Sequence, residues 1–67
     1  MKASIDIIGY NQNRERVFDT FHYESESFAH FENFKDYVTK MANAMAKTYF
    51  ALKGYEVSMV RSINFSR

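Results

Sequence analysis

Sixty-seven residues with a net charge of +1 and no cysteine have room for one domain, exclude disulfide staples and thiolate-bound zinc, and argue against a main partner of duplex nucleic acid. A chain this short buries only about 60% of the surface it exposes when unfolded. Seven Phe, five Tyr and four Met are therefore what can carry enough apolar area into a small core, and any surplus left outside would mark an interaction patch.

In chain order, Ala3, Ile5 and Ile7 alternate with Ser4 and Asp6, the period-two pattern of a strand with one buried face over residues 3–8. Gly9 to Asn13 collects residues that tolerate left-handed backbone, so a reversal is expected there. Arg16 to Tyr23 reads as the returning second strand, with Val17, Asp19 and Phe21 on one side and Arg16, Phe18, Thr20 and His22 on the other. Phe31, Phe34, Val38, Met41, Met45, Tyr49 and Leu52 then step by three or four and predict an amphipathic helix. Its start falls between Glu26 and Phe34, with Ser25, Ser27 and Asn33 as candidate caps, and it ends near Lys53 with Gly54 as terminator. Tyr55 to Phe65 forms a third strand, with Val57, Met59, Ile63 and Phe65 on the inner face and Arg61 interrupting the apolar row.

This order predicts an α+β fold of ββαβ type, with one helix over one face of a three-stranded antiparallel sheet and the first strand in the middle. The opposite face has nothing in the chain to cover it, and Ile8, Tyr10, Phe18 and Val60 are expected there. Proline, Gly/Ser-rich runs and repeats are all absent, so residues 1–67 read as a single domain without a linker. The start MKASIDIIGY lacks a signal peptide's layout and no apolar run approaches the ~20 residues of a membrane span, so a cytoplasmic location is expected. Charge is divided along the chain: residues 1–36 carry four basic and seven acidic side chains, residues 37–67 five basic and one acidic. The folded protein is expected to be electrically polarised.

Known catalytic patterns are missing. The two histidines, His22 and His30, cannot make a metal site alone, and two glycines rule out a phosphate-binding loop or a dinucleotide fingerprint. No serine sits in an activating motif, and Glu24 and Glu26 read as exposed charges ahead of the helix. We therefore expect a non-enzyme without metal or cofactor, working through exposed side chains on the second and third strands: Arg14, Arg16, Phe18, His22, Glu56 and Arg61. Two alternatives share that surface. Arg16, Phe18 and Arg61 could stack and neutralise a single-stranded nucleic acid or RNA, or the open face could close a homodimer.

The segment Gly54-Tyr55-Glu56-Val57-Ser58-Met59-Val60-Arg61, with the element order, resembles a family of small phage-encoded ββαβ inhibitors of bacterial RNA polymerase. The resemblance implies a host-takeover or anti-defence protein that occludes a host enzyme, RNA polymerase or a defence enzyme, in a bacterial cytoplasm. In that family two arginines of the last strand contact the polymerase; Arg61 matches the second, and Met59 stands where the first would be.

Overall fold

Strand β1 (Lys2–Tyr10) pairs antiparallel with both β2 (Arg16–Glu24) and β3 (Glu56–Ser66), and helix α1 (Phe31–Ala51) lies over one face of the resulting β2-β1-β3 sheet. The computed structural model describes all residues, Met1–Arg67, and has the expected α+β, ββαβ architecture. No helix is long and apolar enough to cross a membrane. The core is a cluster of nine buried side chains: Ala3, Ile5 and Ile7 of β1, Phe21 of β2, and Phe34, Val38, Ala42, Ala46 and Phe50 of α1. Each fully buried Phe or Ile contributes about 1.5–3 kcal/mol of apolar transfer. Aromatic contacts tie the helix to both edges of the sheet. Phe21 stacks on Tyr49 with ring centres 5.1 Å apart, and Phe34 meets Phe65 edge-on at 6.2 Å.

The buried face of α1 departs from the predicted stripe. Met41 and Tyr49 are exposed and Leu52 is 89% exposed, whereas the inward line is Phe34, Val38, Ala42, Ala46 and Phe50, spaced by four throughout. A step of four residues rotates by about 40° more than one turn, so this line winds around the helix as the twisted sheet beneath it requires. Its middle members are alanines, which let the backbone lie close to β1 and β3 where a methionine would not fit. A hydrophobicity pattern gives little weight to alanine, and so favours the larger neighbours on the flank.

Both ends of α1 have local causes. None of the three candidate caps serves: the helix starts after His30, whose extended backbone (φ −124°, ψ 136°) carries no side-chain cap. Ser25 Oγ instead accepts from the Ser27 N–H at 3.2 Å, and Asn33 lies inside the first turn. Phe28, ahead of the start, packs on Phe34 at 5.6 Å and fixes the entry of the chain as an apolar staple does. At the far end Gly54 adopts φ +78°, its N–H donates to the Ala51 carbonyl (3.1 Å) and the Tyr55 N–H to that of Phe50 (3.0 Å). This paired closure is the glycine-terminated end the sequence predicts, with the regular helix finishing at Ala51, slightly short of Lys53.

The first reversal lies two residues later than expected, since Gly9 and Tyr10 belong to β1 and the loop is residues 11–15. Asn11 organises it. Its Oδ1 accepts from the N–H groups of Asn13 (2.9 Å) and Glu15 (3.0 Å), and Arg14 takes the left-handed position at φ +64°. Gly9 serves a different purpose from the turn the sequence assigns it. A Cβ there would lie 2.5 Å from the Glu56 carbonyl oxygen, so glycine permits the close approach of β1 and β3.

That approach accompanies two register shifts in β3, which leave Ser58 and Arg61 without partners on β1. Each extra residue flips the alternation. Val60 pairs with Ile7 and packs toward the core with Val57, Ile63 and Phe65, while Met59 pairs with Ile8 on the opposite face and is 49% exposed. The expected places of Met59 and Val60 are thus exchanged.

Candidate functional site

The face of the sheet away from α1 is built from the even-numbered residues of β1 and their cross-strand partners, in successive rows of three. Glu24, Lys2 and Ser66 form the first row; His22, Ser4 and Asn64 the second; Thr20, Asp6 and Ser62 the third; Phe18, Ile8 and Met59 the fourth; Arg16, Tyr10 and Glu56 the last. One half of the face is therefore polar and the other aromatic and aliphatic, with Arg61 at the junction.

Asp6 is the centre of the polar half. Its Oδ1 accepts from Thr20 Oγ1 at 2.6 Å and its Oδ2 from Ser62 Oγ at 2.7 Å, so one carboxylate clamps all three strands. Those two hydroxyl bonds hold its pKa below the ordinary 3.8, outweighing a small desolvation effect, and Arg61 and His22 lower it further through their charge. Alongside, Ser4 Oγ and His22 Nδ1 share a hydrogen bond of 3.1 Å. No buried side-chain nitrogen or oxygen anywhere in the chain lacks a partner.

In the apolar half, Phe18 is 60% exposed although it sits mid-strand, beside partly exposed Ile8 and exposed Met59. The Arg61 guanidinium reaches back over β1 to lie 5.8 Å from the Phe18 ring centre. The bulge makes this possible by turning Arg61, which a regular alternation would put on the helix side with Val57 and Met59, onto the open face. A cation held over an exposed ring gains about 0.5–1 kcal/mol and limits the rotamers of both side chains.

The structure places five of the six sequence-derived candidates on this face: Arg61 and Phe18 in contact, Arg16 and Glu56 flanking Tyr10, and His22 against Ser4. Arg14 is set apart in the loop after β1. Asp6, Thr20, Ser62 and Met59 also belong to this face and are not among those six candidates. The first three form a cluster only through cross-strand register, for which one sequence holds no signal, and Met59 depends on the bulges. The surface holds no cavity, and nowhere do three His, Asp or Glu side chains gather as metal ligands would.

Fold and face together define a class: a small ββαβ domain with an uncovered, half-polar and half-aromatic sheet surface. No family model, curated protein or solved structure matches the chain.

Proposed function

We propose that this chain is a non-enzymatic protein-binding module that acts on a bacterial host protein by covering part of its surface. The observation that carries the reading is the exposed pair of Phe18 and Met59 around Ile8, capped by Arg61. Aromatic and arginine side chains dominate the energetics of protein interfaces, and a pair already held in one arrangement loses less entropy on binding. Glu56, Arg16 and His22 supply polar contacts around this centre, with Arg14 at its margin. Asp6 also favours binding over catalysis, because an ionised carboxylate with a lowered pKa is a weak general base near neutral pH. The resemblance of Gly54–Arg61 to phage-encoded inhibitors makes RNA polymerase the first target to test and a defence enzyme the second, with host takeover or anti-defence as the role.

A second reading, single-stranded nucleic-acid binding, draws on one observation, an exposed aromatic ring beside an arginine on an open sheet. The Asp6 carboxylate in the middle of the face and the near-neutral total charge oppose it. Both are tested by affinity capture from bacterial lysate with wild type, Arg61→Glu and Phe18→Ala, with and without nuclease. A host protein that survives nuclease and is lost with both variants supports the inhibitor reading. Material that vanishes with nuclease moves nucleic acid to first place, and capture indifferent to both substitutions rejects this face as the site.

A further inference from the structure

β2 is an edge strand of nine residues, and its free side is better formed than that of β3, which two bulges interrupt. Its ladder with β1 is bracketed by the Asn11 N–H donating to the Glu15 carbonyl at one end and by reciprocal bonds between Met1 and Ser25 at the other. Antiparallel pairs alternate between bonded and non-bonded positions. The odd residues of β2 thus face β1, and the N–H and C=O groups of Arg16, Phe18, Thr20, His22 and Glu24 point outward.

We propose that this edge pairs antiparallel with the same edge of a second copy of the chain, about a two-fold axis at Thr20. A nine-residue strand pairs with itself over its full length only about its central residue, and Thr20 is that residue. Thr20 is also one of the outward-facing positions, so the central pair is a bonded one. In this register Arg16 of each copy stands opposite Glu24 of the other, giving two opposite-charge pairs by symmetry. Phe18 stands opposite His22, and Val17 opposite Tyr23 on the helix side. Arg16 and Glu24 cannot meet within one chain, because they lie at opposite ends of β2, about 26 Å apart at 3.3 Å per residue; Glu24 has Lys2 across the ladder in its own chain but forms no ion pair with it.

A second observation fits the same occupant. Tyr37 and Tyr49 are exposed on the flank of α1 turned toward β2, where Tyr37 lies 6.4 Å from Tyr23 and Tyr49 stacks on Phe21, and Met41, one turn after Tyr37, is exposed as well. Edge pairing about an axis perpendicular to the sheet puts both helices on one side, with these flanks turned toward each other. One bond is exchanged in the process. The Thr20 N–H, which now donates to Asp19 Oδ1 at 2.7 Å, is redirected to the ladder, and each Asp19 keeps Lys53 at 3.3 Å. The proposal does not rest on the function proposed above, because the open faces stay uncovered and become continuous across the six strands.

The test is a charge exchange read by sedimentation equilibrium, with circular dichroism to check that every variant is folded. Wild type is expected to dimerise reversibly at concentrations up to about 1 mM, the range in which a small, weak interface is populated. Arg16→Glu and Glu24→Arg each replace two opposite-charge pairs with two like-charge contacts and are expected to weaken the dimer about tenfold or more, on the scale of exposed pairs doubled by symmetry. The double variant Arg16→Glu/Glu24→Arg restores it. A wild type that is monomeric throughout, a dimer indifferent to the single variants, or a double variant that remains weakened would each overturn the proposal.

Discussion

Replacing Gly9 with alanine sets two opposed effects against each other, and the structure decides between them. Alanine restricts the unfolded chain, a gain of about 0.4–1 kcal/mol wherever the native backbone accepts it. Gly9 does not have a positive φ, so that gain is available in full. Against it, the new Cβ would lie 2.5 Å from the Glu56 carbonyl oxygen and 3.3 Å from its carbon. Ordinary contact begins at about 3.4 Å and the obstruction is backbone, so β3 must move by close to an ångström where its bulges begin. Overpacking of this kind costs about 1–3 kcal/mol, which leaves a net loss of about 1–2 kcal/mol. In a domain of this size that lowers the midpoint of thermal unfolding by roughly 5–15 °C. Urea unfolding with an unchanged slope would confirm that the native state is the one affected. A Gly9→Ala protein as stable as wild type, or more stable, would refute the reasoning. A further discrimination comes from asparagine. At Gly54 the φ of +78° is the obstacle and the Cβ meets only the end of the Gln12 side chain, so Gly54→Asn should be milder than Gly54→Ala. At Gly9, where space is the obstacle, asparagine should be no better than alanine.

Arg14→Gly should stabilise the protein by about 0.5–1 kcal/mol, since Arg14 holds a left-handed position that glycine occupies without strain; a loss in chemical denaturation would contradict the loop geometry. Asp6 has a folded pKa below its unfolded value, so its contribution is present above the ordinary 3.8 and is lost as pH falls through the lowered value. Unfolding titrations should accordingly find Asp6→Asn less stable than wild type at pH 7, with the gap closing in acid; a gap constant with pH would sink the assignment. Ala46→Leu should cost about 1–3 kcal/mol by forcing α1 off the sheet, whereas Leu52→Gln should fall within about 0.5 kcal/mol of wild type, and comparing their urea midpoints checks which face of the helix is buried.

Much of the candidate site is legible in the sequence alone. Phe18, His22 and Arg16 alternate away from Phe21 on β2, and that parity alone assigns them to the uncovered side. Arg61 is visible in the sequence as a charge breaking an apolar row, yet its direction is not, because the bulge that turns it depends on how β1 and β3 pair. In the sequence Asp6 is an ordinary polar member of an alternating strand. Its standing as the clamp of three strands exists only where Thr20 and Ser62, distant along the chain, are brought opposite it.

What the sequence determined by itself are the properties set by neighbours within a few residues: two alternating strands, one helix ended by Gly54, a third strand, and an order that leaves β1 in the middle with one face bare. Such features follow from backbone periods of 2 and 3.6 and from local hydrogen bonding, which act along the chain. Tertiary structure decided which helical line is buried, where β3 bulges, why Gly9 must be glycine, and that Met59 and Arg61 meet Phe18's side of the sheet. Those outcomes depend on the space between elements far apart in sequence, and an alanine that fits or an oxygen 2.5 Å away has no counterpart in any local pattern.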